Sequence, residues 1–195
     1  AVLGAVDDVR RANPDALYCC DPVMGDYGRG FFVGEGIPDF MSSRAVRWAD
    51  IVTPNQFEAE ALAGVVIDGV EQAKRAAHAI HEMGPRIVLV TSFIPAGEPD
   101  STISMFLSDG KSFYTITTPR LPLEPAPNGA GDLCAALFLG RYLRNHDAVE
   151  ALELMTDSVF AVLERSLAEG SRELKIVEAQ EAIAAPERRF SAKRV

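Results

Sequence analysis

The stretch that most constrains this chain is residues 127–145, PNGAGDLCAALFLGRYLRN. Gly129, Ala130 and Gly131 stand directly before a run of Leu, Ala and Phe with helical spacing. A helix that opens on small residues leaves its first backbone N–H groups unpaired and unshielded, which is how a polypeptide binds phosphate oxygens. The glycines allow a tight turn and the close approach of an anion. Asp132 is the odd member, because a carboxylate repels phosphate. Two readings stand side by side. Asp132 caps the helix, as Asp often does, or it is a general base that takes a proton from an attacking hydroxyl.

Around that helix, short apolar runs alternate with helical stretches. Residues 1–16 read as a helix with Val2, Leu3, Val6 and Val9 on one face, stopped at Asn13-Pro14. Residues 17–20 form a strand that delivers Asp21 to its carboxyl edge, where ligands of open α/β sheets collect. Residues 25–30, GDYGRG, read as a glycine-rich loop. It is neither G-x-G-x-x-G nor a Walker-type P-loop, so the common dinucleotide and P-loop readings lose support. A helical stretch at 38–48 leads to a strand at 50–52, which ends in Thr53-Pro54-Asn55, and then to a helix at 56–62 stopped by Gly64. The spacing predicts a longer helix over 70–83. RIVLV at 86–90 is the clearest buried strand, delivering Thr91 and Ser92 at its end. Residues 102–107 and 111–117 read as a hairpin around Asp109-Gly110. The four prolines of PRLPLEPAP, residues 119–127, make a stiff loop. Asp147 caps a helix running to about residue 168, whose stripe (Leu152, Met155, Val159, Val162 and Leu163 among it) reads as core packing; a last helix spans 177–184. This order implies one domain with a three-layer α/β fold and mostly parallel strands.

A chain of 195 residues suits one domain with a substantial core. Its net charge of −9 argues against a nucleic-acid backbone as partner. ATP is not disfavoured, because a local nest of N–H groups and a bound cation override the overall field. Arg188, Arg189, Lys193 and Arg194 read as a solvated tail. His78 and His81, three apart on one helix, read as surface histidines rather than a metal pair. Cys19, Cys20 and Cys134 have no metal-type or redox-type spacing and suggest reduced thiols. No apolar run is long enough to span a bilayer and no secretory leader is visible, so the expectation is a cytoplasmic protein without a membrane partner. The chain opens without methionine on a helix already under way, which reads as a piece of a longer protein.

Of the oxygen donors, Asp21, Asp26, Asn55 and Glu58 are the ones to weigh for a cation, since Mg²⁺ takes one or two carboxylates with waters and substrate phosphates.

GAGD opening a helix resembles the signature of the ribokinase-like small-molecule kinases. DPVMGDYGRG at 21–30 and TPNQFEAEALAG at 53–64 narrow the match. In this order the three motifs resemble a pyridoxal kinase, and the resemblance runs the length of the chain. It implies a three-layer ribokinase-like fold with a mostly parallel central sheet. The first strands and much of the vitamin pocket would lie in a preceding segment missing here. The implied reaction is ATP-dependent phosphorylation of the 5′-hydroxymethyl group of pyridoxal, or a related vitamer, giving pyridoxal 5′-phosphate. Asp132 is then the general base, and the backbone of Gly129, Ala130 and Gly131 forms the anion hole. The resemblance associates Asn55 and Glu58 with the water shell of Mg²⁺ and the ATP phosphates. It associates Asp21 and Thr53 with a monovalent cation, K⁺ or Na⁺; Asp26 with the ATP phosphates; and Thr91 and Ser92 with the nucleotide. A homodimer is also implied. Asn128 departs from the family's usual Thr or Val, but an asparagine can cap the helix instead. The nearest rival is a hydroxymethylpyrimidine kinase. Many of those carry Cys where Asp132 stands, so Asp132 and the continuous TPNQFEAE lean toward pyridoxal. A non-catalytic nucleotide-binding fragment is the reading from a different class.

Overall fold

The computed structural model describes residues 1–124 and 127–195; Pro125 and Ala126, within the proline-rich loop expected at 119–127, lie outside the described residues. Helix α1 (Val2–Ala12) ends at Asn13, which turns extended, as the residue before a proline must. Strand β1 (Cys19–Cys20) follows, then β2 (Gly25–Asp26) and β3 (Gly30–Phe31). The glycine-rich loop expected at 25–30 is thus a short antiparallel hairpin, with Gly25 opposite Phe31 and Asp26 opposite Gly30. A continuous helical stretch is built from α2 (Ile37–Phe40), a π-helical turn (Met41–Ala45) and α3 (Val46–Trp48). Strand β4 (Ile51–Val52) leads into α4 (Gln56–Ala63), which ends on Gly64 in the left-handed region. Then come α5 (Val70–Met83), β5 (Ile87–Phe93), β6 (Thr102–Ser108) and β7 (Phe113–Pro119). The chain closes with α6 (Ala130–Asn145), α7 (Ala148–Ala168), α8 (Gln180–Ala184) and β8 (Lys193–Arg194).

The main sheet has the order β1-β4-β5-β6-β7-β8. Its core strands β1, β4 and β5 are parallel, and β6, β7 and β8 extend it antiparallel. Successive side chains of a strand point to opposite faces, so an unbroken apolar strand must be covered on both. On β5, Val88 and Val90 join one core with Val52, Ala73, Ala77, Ile80 and Phe106, under α4 and α5. Ile87 and Leu89 join the other with Ile51, Leu107, Phe138, Leu152 and Met155, under α6 and α7. The alternation of buried residues along single strands therefore produces the three layers. Each core rests on side chains almost wholly removed from water, which supplies the main driving force for the fold.

The C-terminal segment departs from the solvated tail that its charges suggest. Arg188 pairs with Glu153, Arg189 with Glu164, and β8 pairs with β7 through Thr115 opposite Lys193 and Tyr114 opposite Arg194. Acidic residues on the outer side of α7 are the physical reason; partners so distant in sequence leave no local pattern. His81 is likewise not a plain surface residue. Its ring nitrogens lie 2.8 Å from the Pro85 carbonyl and 2.7 Å from Ser108 Oγ, tying α5 to β6, whereas His78 is exposed and rests edge-on against Phe113.

Candidate active site

The parallel strands end at one edge, and three of the expected residues meet there. Asp21 follows β1 and Thr53 follows β4; the Thr53 hydroxyl donates to Asp21 Oδ1 at 3.2 Å. Thr91, near the end of β5, donates its backbone N–H to the Pro54 carbonyl at 2.9 Å. Thr53 and Thr91 are both buried.

Asn55 and Glu58 form a capping box at the start of α4. Asn55 Oδ1 accepts the Glu58 N–H at 2.9 Å, and Glu58 Oε2 accepts the Asn55 N–H at 3.0 Å. Glu58 does more than close that box. Its Oε1 accepts the N–H of Met24 at 2.7 Å and of Gly25 at 3.3 Å, while Asn55 Nδ2 donates to the Gly25 carbonyl at 2.8 Å. The pair thereby fastens the β2–β3 hairpin to α4. Gly25 admits no side chain here: a Cβ would lie 2.4 Å from the Phe57 ring and 2.6 Å from the Gly30 carbonyl. Asp26, next along the hairpin, is exposed, and its Oδ1 accepts the N–H of Tyr27 at 2.7 Å.

At the start of α6 the N-cap residue is Gly129, with φ of 88°. A residue with a Cβ is strained in that conformation. Among the described residues no side chain caps this helix. Asp132 is the third residue of α6 rather than its cap, and Asn128 does not cap it either; both capping readings are corrected. The left-handed turn at Gly129 sets the helix start between the two polar side chains, with Asn128 before the N-cap and Asp132 already inside the first turn. The N–H groups of Ala130, Gly131 and Asp132 precede the first helical bond, from Leu133 N–H to the Gly129 carbonyl at 2.9 Å. A side chain at Gly131 would meet no protein atom within 4 Å, so that side of the cradle is open.

The charges converge. Burial pushes Asp21 up to about 6, aided by the charge of Glu58 and, less, of Asp132, and opposed by the Thr53 hydrogen bond. Burial also raises Glu58, its backbone N–H donors pull it back, and the charge of Asp26 adds to the rise. Among the described residues no group of three or more His, Cys, Asp or Glu side chains is placed to hold a metal ion by itself. The fit is instead to a cation shared with a ligand: a half-buried Asp21 whose negative neighbours raise its proton affinity is stabilised by any positive charge placed beside it.

A pH dependence follows from Asp21. The folded chain holds its proton to about pH 6, and the unfolded chain releases it near pH 4. The folded state binds more protons across that window, so stability falls as pH rises through it, and the deficit persists above. Asp21→Asn should therefore stabilise the chain at neutral pH by about 1–2 kcal/mol after allowance for solvent screening, and by nothing below about pH 4. Urea denaturation at the two pH values checks this, and an equal effect at both would remove the charge argument.

Thr91 and Ser92 meet Ala130 and Gly131 around a cavity of about 130 Å³. Its far wall comes from α7, through Thr156, Val159, Phe160 and Leu163. Val159 and Leu163 belong to a stripe that reads as core in the sequence. The polar residue on that face is Thr156, one turn from Leu152 and from Phe160 on the same helix. A row of backbone N–H groups opening onto an apolar cavity suits a ligand with an anionic part and a flat apolar part.

Residues 2–176 match the phosphomethylpyrimidine kinase family. Pyridoxal kinase PdxY of Rubrobacter xylanophilus is 53% identical over 196 residues, covering 100% of this chain and 67% of that protein. Pyridoxal kinase PdxY of Deinococcus radiodurans is 47% identical over 199 residues, with the same two shares. Among solved structures, pyridoxal kinase from Leishmania donovani in complex with ADP and pyridoxine superposes with a TM-score of 0.88 at 24% identity, covering 100% of this chain and 68% of that one. A phosphomethylpyrimidine kinase-like structure from Bacteroides thetaiotaomicron gives a TM-score of 0.83 at 21% identity, covering 97% and 67%. The shared architecture is the ribokinase-like fold.

Proposed function

The chain belongs to the phosphomethylpyrimidine kinase family, and on that footing we propose that it transfers the γ-phosphoryl group of ATP to the 5′-hydroxymethyl group of pyridoxal, giving pyridoxal 5′-phosphate. The observation that carries the reading is the start of α6, where uncapped N–H groups and an exposed Asp132 face the same edge as Asp21 and Thr53. Phosphoryl transfer is mostly positioning and charge neutralisation. The N–H groups of Gly129, Ala130, Gly131 and Asp132 receive phosphate oxygens, and Asp132 takes the proton of the attacking hydroxyl. The cavity beside Thr91 and Ser92 receives the nucleoside.

Asp21 and Glu58, with Thr53, are the residues that would hold Mg²⁺ and a monovalent cation, K⁺ or Na⁺. Bound there, Mg²⁺ supplies positive charge to the transferring oxygens. Asn55 holds the hairpin whose Asp26 lies near the phosphates. Curated relatives at 53% and 47% identity are pyridoxal kinases, so the pyrimidine alternative is not favoured. Among the described residues no helix is long and apolar enough to cross a membrane; a cytoplasmic homodimer acting on small molecules completes the proposal.

Calorimetric titration with MgATP, followed by product analysis with pyridoxal, pyridoxine, pyridoxamine and hydroxymethylpyrimidine, tests it. Saturable binding that vanishes without Mg²⁺, with phosphorylation of the vitamers, is the expected result. Preference for the pyrimidine would sink the pyridoxal assignment.

A further inference from the structure

Phe160 has two neighbourhoods. It lines the cavity, and it also carries the C-terminal segment: the Phe190 ring meets it edge-on at 4.9 Å, and the Arg189 guanidinium lies 4.8 Å from its centroid. Phe160 is buried although both of these contacts come from a segment remote in sequence.

That segment is fastened to α7 at several points. Buried Asp157 accepts, on Oδ1, the N–H groups of Arg189 and Phe190, each at 3.1 Å. Its Oδ2 has no hydrogen-bond partner among the described residues, and Arg188 Nε stands 3.9 Å away. A buried carboxylate with one oxygen unbonded costs stability relative to an apolar side chain, so Asp157 is better understood as dictating where residues 189 and 190 lie. Glu153 accepts the Ala192 N–H at 2.9 Å and pairs with Arg188, Glu164 pairs with Arg189, and the Val195 N–H reaches the Phe113 carbonyl at 3.0 Å. With the backbone held on both sides, the Phe190 ring and the Arg189 guanidinium have little freedom to leave Phe160.

We propose that Arg189 and Phe190 are positioning residues for the nucleotide: they clamp Phe160 as the far wall of the cavity and so set affinity for the base rather than for the phosphates. The inference rests on the nucleotide reading of that cavity. Without the clamp the Phe160 ring gains rotameric freedom and the wall yields, while the N–H cradle of α6, on another helix, is untouched.

The test is calorimetric titration of the 195-residue chain and its variants with MgATP and, separately, with magnesium tripolyphosphate, which has the phosphates but no base. Phe190→Ala is expected to weaken MgATP by about five- to tenfold and to leave tripolyphosphate unchanged. Phe190→Leu, which keeps apolar bulk, should recover most of the loss. Arg189→Ala, at an exposed side chain, should weaken MgATP by about two- to threefold with only a small fall in melting temperature, and it decides the matter if Phe190→Ala does not fold. Equal weakening of both ligands, or unchanged MgATP affinity in the variants, overturns the clamp alone. A wild-type chain that folds but does not bind MgATP overturns the nucleotide reading, and the clamp with it.

Discussion

On the proposed mechanism, Asp132→Asn is expected to lower turnover by about 10²- to 10⁴-fold and to leave nucleotide affinity unchanged or tighter. The size of the effect follows from what Asp132 does not do. It is exposed, it is the third residue of α6, and among the described residues no side chain caps that helix, so the substitution breaks no cap. The only structural loss is a favourable negative charge in the first turn, worth about 0.3–1 kcal/mol. Asparagine has the same shape but cannot take a proton, so a chemical step that uses Asp132 as its base would lose it while the N–H cradle keeps its geometry. Removing a negative charge beside phosphate also removes repulsion in the bound state, which is why affinity should hold or improve. Steady-state kcat and KM for ATP and pyridoxal, with an unfolding curve for each protein, make the comparison. Turnover within about threefold of wild type would place proton removal elsewhere and reduce Asp132 to a helix-dipole residue.

The same helix shows where sequence reasoning stops. Small residues before an apolar run locate the N–H cradle, because helix termini and glycine conformations are local properties. Whether Asp132 caps is not legible in the same way: it turns on one backbone angle, the φ of 88° that Gly129 adopts in the folded chain. The bounds of α5 and the end of α7 agree with their sequence periods, since period and stop signals lie within each element. The last helix is shorter than expected, Gln180–Ala184, with no side-chain cap to start it earlier. Contacts remote in sequence are where the pattern fails. Nothing around residues 188–194 announces Glu153, Asp157 and Glu164 as partners, and the charges alone read as solvated. The α7 stripe was legible as buried but not as the wall of a cavity, because core and cavity draw on the same apolar residues. Asn55 and Glu58 show both outcomes at once. The sequence shows the pair as oxygen donors to weigh for a cation, while the capping box they close and the reach of Glu58 back to Met24 and Gly25 are visible only in three dimensions.

That reach makes Glu58 a polar position where a single substitution should cost several kcal/mol of stability. The residue is 3% exposed, and its carboxylate accepts three backbone N–H groups, from Met24, Gly25 and Asn55. Glu58→Ala deprives all three of their acceptor in a place with little access to water. At about 1–3 kcal/mol for each unsatisfied buried donor the gross loss is several kcal/mol. Removing a buried charge returns part of it, because burial holds the Glu58 carboxyl above its usual range and the ionised form is therefore costly at neutral pH. The net expectation is a loss of about 3–4 kcal/mol, a large fraction of the stability of a typical domain. Glu58→Gln keeps one carbonyl oxygen and turns an amide NH₂ toward a backbone donor, so it should lose about half as much. Urea denaturation at neutral pH measures both. This gradation separates the fastening role from the ionic one. If Glu58 mainly fastens the hairpin to α4, stability falls in the order wild type, Gln, Ala at every Mg²⁺ concentration. If it mainly serves the cation, both variants unfold like wild type without Mg²⁺ and differ only in the Mg²⁺ needed to bind ATP. With three backbone N–H groups on the carboxylate, the fastening order is expected even without Mg²⁺, and any added Mg²⁺ requirement of Glu58→Gln for ATP binding reads the proposed cation role separately.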